Sequence, residues 1–322
     1  MCTRRLIPAI AVNGVTLLVL ALLISGCASP SRDWTGPTRA EHVIVNTWSQ
    51  RPAPAFVLNS PRYTIYTTLP KESRRDALAQ VMEGAYAQYQ AIAPAKLVDD
   101  RPMHCFVFAQ REEWEEFTSR RTGDDATMYL QIPRGGYTID DWFVAYSDSD
   151  RGIYSAAAHE GWHQYVARHF KGRMPPFLEE GMACLFEDVR MTRGLPRWNT
   201  AVNPGRTHAL TVAAREKELW PLDELIGLHA GHVVQTPRAR INAFYAQSWA
   251  FARFLNEADG GRYRPMFRKL LADAAAGEIG KPYDPETTQA LLERYLGQDL
   301  AEIERSFANF VAQITAGDVP DR

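Results

Sequence analysis

Two histidines, His159 and His163, stand four residues apart in the run AAAHEGWHQYVARHF, and Glu160 follows the first directly. On an α-helix, residues four apart share a face, with Cβ atoms about 5–6 Å from each other. Both imidazoles can then aim a ring nitrogen at one zinc ion, which takes nitrogen ligands at about 2.0–2.1 Å. Glu160 lies about 100° round the same helix, at 3.6 residues per turn. From there it reaches a water on the ion rather than the ion itself, the position a general base needs. A catalytic zinc uses three protein ligands and keeps one position for water, so a third ligand has to come from elsewhere. Downstream, Pro175 and Pro176 break the chain and FLEEGMAC opens a second helix. Glu180 falls one turn into that helix, where its carboxylate can face the ion. A plain amphipathic helix with two incidental histidines is the competing reading. The helical context and the glutamate-bearing helix that follows favour the metal.

The elements that must position these residues show up as periodicity. Tyr154, Ala158, Tyr165, Val166 and Phe170 give the HExxH segment a helical apolar pattern. Upstream, Tyr63–Thr68 alternates and is rich in β-formers, and Cys105–Phe108, Met128–Ile132 and Trp142–Tyr146 read as further strands. Helices are predicted from Glu72 to Ile92, stopped by Pro94, and from Glu112 to Arg121, closed by Gly123. From Ile153 onward the pattern is almost wholly helical, with helices at 153–170, 176–188, 222–228, 240–258, 262–276, 286–295 and 299–314. The Pro- and Gly-punctuated segment 189–221 reads as a loop or insertion covering one side. The fold class expected is α+β, with a mixed α/β N-terminal region and small sheet over 42–150 and a mostly helical region over 151–322 that carries HExxH and Glu180.

HEGWH followed by EGMA, with Glu179 in the leading acidic position, resembles the gluzincins, zinc metallopeptidases with HExxH plus a downstream glutamate. The stretch from YTIYTTLP through CFVFAQREEWEEF to the active helix is similar to a bacterial gluzincin-like family of unassigned function. The resemblance covers most of residues 62–258. It implies a zincin-like helical domain in which His159, His163 and Glu180 hold one Zn2+ and Glu160 is the base. The interval from His163 to Glu180 is slightly shorter than in aminopeptidase-like gluzincins, which leaves Glu179 open as a substitute ligand. Related peptidases carry a tyrosine that donates to the oxyanion, and Tyr245 in FYAQSW is the candidate for that role; a core aromatic is the other reading of it. Cys184 and Glu187 share the helix face of Glu180. Cys184 is read as packing, and Glu187 as an outer partner of a zinc histidine or a solvated acid. His229 and His232 in LHAGHV are read as exposed loop histidines, with a second metal pair or a substrate contact as the alternative.

The N-terminus looks like a bacterial lipoprotein signal. Arg4 and Arg5 precede an apolar stretch, and LISGC places small residues just before Cys27. Residues 1–26 are then the signal peptide, Cys27 is the acylated residue, and 27–41 is a polar tether. This implies a lipid-anchored protein of the bacterial cell envelope, with an outer-membrane or periplasmic address favoured because no Asp follows Cys27. Cys105 and Cys184 remain, either paired or as two separate buried thiols. A formal net charge of −2 in 322 residues gives no reason to expect a nucleic-acid partner. The expected function is a membrane-anchored, zinc-dependent peptidase acting on a peptide or protein, and the resemblance implies that the strand Trp142–Tyr146 lines the cleft and takes the peptide as an added strand. The alternative is a non-catalytic envelope lipoprotein with a structural or vestigial zinc site. No Gly-x-Met-x-Asn-type strand is present, which disfavours aminopeptidase action.

Overall fold

Alternation of large apolar side chains lays down a sheet with two covered faces. In the computed structural model, Tyr63, Ile65, Met103, Cys105, Val107, Phe143 and Ala145 point into the main core, while Tyr66, Phe106, Phe108, Trp142 and Val144 point into a second, aromatic one. The structure describes residues 39–317 except 52–53, 97, 99, 133–134 and 281–283. The expected signal segment, Cys27 and the tether up to residue 38 lie outside the described residues. Among the described residues no helix is long and apolar enough to cross a membrane.

The sheet has six strands: β1 (Ile44–Thr47), β2 (Phe56–Asn59), β3 (Tyr63–Thr67), β4 (Met103–Phe108), β5 (Gly135–Ile139) and β6 (Trp142–Tyr146), in the order β1-β2-β3-β4-β6-β5. β3, β4 and β6 are parallel; β1 and β2 run antiparallel at one side, and β5 runs antiparallel at the other. Helix α1 (Glu72–Ile92) and the HExxH helix α4 (Asp150–His169) pack on one face. α2 (Arg111–Thr122) covers the other, followed by the short α3 (Ala126–Tyr129). The rest is mainly helical: α5 (Pro176–Leu185), α6 (Pro204–Glu216), α7 (Leu222–Leu225), α8 (Ala230–Val233), α9 (Arg238–Gly261), α10 (Arg264–Ala276), α11 (Pro285–Leu296) and α12 (Leu300–Ala316), with a hairpin of β7 (Val189–Thr192) and β8 (Leu195–Trp198). The protein is thus a mixed α/β region with a small sheet followed by a predominantly helical region, and one continuous core runs through both.

Three readings of the sequence are corrected. Met128–Ile132 is not a strand: it begins as helix α3 and ends in a turn. Arg111 explains this, because its guanidinium takes the carbonyls of Leu130 and Ile132, withdrawing them from any ladder. The segment 189–221 is not irregular: it holds the β7–β8 hairpin and α6. Arg193 and Gly194 both have positive φ, 53° and 78°, which suits a two-residue hairpin turn. Asn203 caps α6 by accepting from the Arg206 amide, with Pro204 at the first helical position. Finally, Trp142–Tyr146 offers no free edge to an added peptide strand, because β6 lies between β4 and β5. The free edge on that side belongs to β5.

α4 starts where the Ser149 side chain accepts from the Gly152 amide, and its apolar face buries Ile153, Tyr154, Ala157, Trp162, Tyr165 and Val166. Gly161 admits α1: a Cβ there would stand 2.7 Å from the Tyr89 hydroxyl, which donates to the Ala158 carbonyl at 2.5 Å. Gln164 anchors the same helix to the sheet by donating to the His104 and Asp141 carbonyls at 2.9 and 2.7 Å. α5 packs most intimately on α9. A Cβ on Gly181 would fall 2.1 Å from the Ser248 carbonyl oxygen, so only glycine lets the backbones approach this closely. Gly181→Ala is expected to force the two helices apart at a cost of about 2–3 kcal/mol. A urea melt monitored by circular dichroism reads this, and a midpoint equal to wild type would show that the contact yields without strain.

Candidate metal centre

α4 and α5 meet so that three acceptor atoms converge. His159 Nε2 and His163 Nε2 are 3.4 Å apart, and Glu180 Oε2 stands 3.3 Å from the first and 3.5 Å from the second. The corners of a tetrahedron around zinc with 2.0–2.1 Å bonds are ~3.3–3.4 Å apart. The three atoms therefore already form one face of such a tetrahedron. Their side chains are only 12–17% exposed.

The far sides of both rings define the charge state. His159 Nδ1 faces Glu187 Oε1 at 2.9 Å, and His163 Nδ1 faces Glu179 Oε1 at 3.1 Å. A carboxylate at Nδ1 fixes the proton there and turns the Nε2 lone pair inward. Two inward lone pairs and a carboxylate oxygen then point at one another. Glu180 Oε2 is buried and accepts no well-aligned hydrogen bond. Such a cluster of acceptors calls for a cation between them. Without one, protons take its place. Burial pulls His163 down, but Glu180 and Glu179 outweigh it and push the imidazole up to about 10. His159 is likewise driven up against burial, by Cys184, Glu180 and Glu187. Burial alone would raise Glu180, yet His163 and His159 hold it well below the usual carboxylate range. The donor set of two imidazoles and one carboxylate suits zinc.

Glu179, the substitute ligand, instead sits behind His163, with Arg173 3.9 Å away. Glu187 is no solvated acid. It sits behind His159, where Arg206 and Asn203 also hold it. Cys184 Sγ is 4.0 Å from His159 Nδ1, on the side of the ring away from the convergent atoms. Cys184, His159 and Glu187 could in principle hold a second ion. However, Glu187 already engages the Arg206 guanidinium through both oxygens, and a divalent cation beside that positive charge is disfavoured. Both Cys105 and Cys184 are free, buried thiols.

Glu160 is 7% exposed and lies under the edge strand. Thr138 on β5 donates to its Oε2 at 2.8 Å. Gly136 on the same strand passes so close that a Cβ would meet Glu160 Cγ at 2.8 Å and the Val144 carbonyl at 2.5 Å. Burial raises the Glu160 carboxyl above its ordinary value, with His159, His163 and Thr138 pulling the other way. Tyr245 on α9 stands with its ring centroid 6.4 Å from that of His159. Burial, then Glu180, pushes its phenol well up, so it stays protonated. The His229 and His232 rings lie against each other, tilted by 35° with centroids 3.8 Å apart, and His232 is exposed on the short α8. Neither belongs to the convergent cluster.

Thr138, Asn203 and Arg206 were not anticipated from sequence. The Asn203–Pro204 pair is a helix-start signal that could have revealed α6, whereas nothing local marks Thr138 as facing Glu160. No protein-family model matches this chain, and no curated protein is significantly similar to it.

Proposed function

We propose that the protein is a zinc-dependent peptidase, with His159, His163 and Glu180 as ligands and Glu160 as general base. The carrying observation is the triangle of two Nε2 atoms and Glu180 Oε2, with edges of 3.3–3.5 Å, set beside a buried glutamate. Zinc, when bound there, supplies an acidified water and polarises the scissile carbonyl. Glu160 takes the proton of the attacking water and returns it to the leaving amine. Thr138 holds one of its oxygens so that the other meets the proton. The Tyr245 phenol donates to the oxygen that gains negative charge. β5 is the outermost described strand of the sheet and passes over Glu160, so an extended peptide can add to it as a further strand, with its scissile carbonyl brought beside the metal site. This geometry favours a peptide or protein substrate. In this reading, the chain is a cell-envelope lipoprotein held to the bilayer by acylated Cys27.

The direct test is zinc content and peptide hydrolysis of the purified protein. One zinc per chain is expected, with cleavage of a mixed peptide library that stops under chelation and returns with zinc. Stoichiometric zinc without cleavage of any peptide would instead identify a non-catalytic zinc protein. Thr138→Val, nearly isosteric, should lower kcat about tenfold or more, as expected for losing a hydrogen bond to a charged group. Thr138→Ser should restore most of it, and bound zinc should be equal in all three. A kcat unchanged in the valine variant would remove Thr138 from the mechanism.

A further inference from the structure

The N-terminal turn of α6 is built around a single carboxylate. Glu187 Oε1 receives His159 Nδ1 at 2.9 Å and Arg206 Nη2 at 2.6 Å; its Oε2 receives Arg206 Nε at 2.9 Å and Asn203 Nδ2 at 2.8 Å. Four donors occupy the roughly four lone-pair positions of a carboxylate, so its orientation is fully determined. Arg206 grips it with the two-pronged geometry that only a guanidinium provides. Asn203 meanwhile caps α6 with its oxygen, which ties the helix start to the same point. Glu179, behind the other histidine, has no comparable grip: Arg173 stands 3.9 Å off on a half-exposed side chain. Arg206 also lies over the Tyr245 ring, with Cζ 5.0 Å from its centroid.

We propose that α6 is the clamp of the metal centre, and that Arg206 is its positioning residue. Through Glu187 it fixes the His159 ring for the cation, and through its own face it seats Tyr245. This rests on the zinc reading of His159, His163 and Glu180. A segment that looks like a surface insertion thereby sets metal affinity without touching the metal.

Zinc affinity, read by competition with a chromophoric chelator, tests the idea without any activity assay. Arg206→Lys keeps the charge but loses the fork. Arg206→Met loses both. Each is expected to weaken zinc binding about 10–100-fold, the usual effect of losing an outer partner of a ligating histidine. Glu187→Ala should weaken it to a similar degree. The Arg206→Met/Glu187→Ala double variant should bind no more weakly than Glu187→Ala alone, because both residues act through one ring. Arg215→Met, an exposed arginine on the same helix, should leave affinity unchanged. An Arg206→Lys protein with wild-type circular dichroism and a zinc Kd within twofold of wild type overturns the clamp. So does strict additivity in the double variant, even if both melt at lower temperature. If the wild type itself binds no zinc, the ligand assignment fails first and the clamp with it.

Discussion

Glu160→Gln is expected to lower kcat on a cleavable peptide by about three orders of magnitude while leaving one zinc per chain in place. The two side chains have the same shape. The amide oxygen of glutamine can still accept from Thr138, and the close passage of Gly136 over Cγ is undisturbed. What disappears is the capacity to accept a proton, and that is the whole role assigned to the residue. His159, His163 and Glu180 are untouched, so metal content should match wild type. Parallel measurement of kcat and zinc by mass spectrometry decides the matter. A variant retaining more than about a tenth of wild-type kcat is incompatible with Glu160 as the base, given the 10²–10⁴-fold usually supplied by such a group.

Removing a ligand has a comparably large effect, but on a different quantity. His163→Ala or Glu180→Ala should weaken zinc binding by about two to four orders of magnitude. A structural-type affinity of roughly 10–16 kcal/mol, shared over three or four ligands, gives ~3–5 kcal/mol for each. Dialysis against a chelator of known affinity reads the loss directly, and retention of zinc after either substitution would place the ion elsewhere. The metal-free wild type has a pH signature of its own. His163 is pushed from 6.5 to about 10 in the folded protein. A group raised in the folded state stabilises it fully below its unfolded value and loses that contribution as pH climbs through the folded one. The melting temperature of metal-free protein should therefore fall between pH ~6.5 and ~10. Zinc-loaded protein should lack this decline, because the ion replaces the protons, and loading at neutral pH should release them to the buffer. A metal-free melting temperature that is flat or rising across that interval would contradict the proton-for-metal picture.

The parts of this architecture that were legible in the sequence are those specified by local periodicity and spacing. α1 runs from Glu72 to Ile92 as its apolar spacing predicts, and α4 presents His159 and His163 to one point because four residues make about one turn. Glu180 reaches the same point because α4 ends at His169, Pro176 starts α5 shortly after, and Gly181 lets α5 settle against α9. What escaped is tertiary. β5 begins Gly-Gly, which reads as a turn; Gly136 fits the strand because the chain passes close to Val144 and Glu160 there, and Gly135 because its φ is 112°. β1 and β2 are four residues each, too short for alternation to announce them. Thr138 and Arg206 approach the site from opposite directions in the chain, and no spacing rule connects them to it. The role of Glu187 depended on Arg206 and Asn203, so one face-sharing argument could not separate an anchored acid from a solvated one.

The atoms that would enclose the ion come from two successive helices, α4 and α5, joined by a short connector, whereas Thr138 precedes them and Tyr245 arrives much later, on α9. Closing so short a stretch of chain carries little loop entropy. In the proposed zinc site the three ligands are thus near neighbours along the chain, all from the α4–α5 corner. On the same reading the residues that would act on substrate are far apart in sequence, one on the sheet edge and one on the distant α9. Holding the ion and using it would then depend on different parts of the fold.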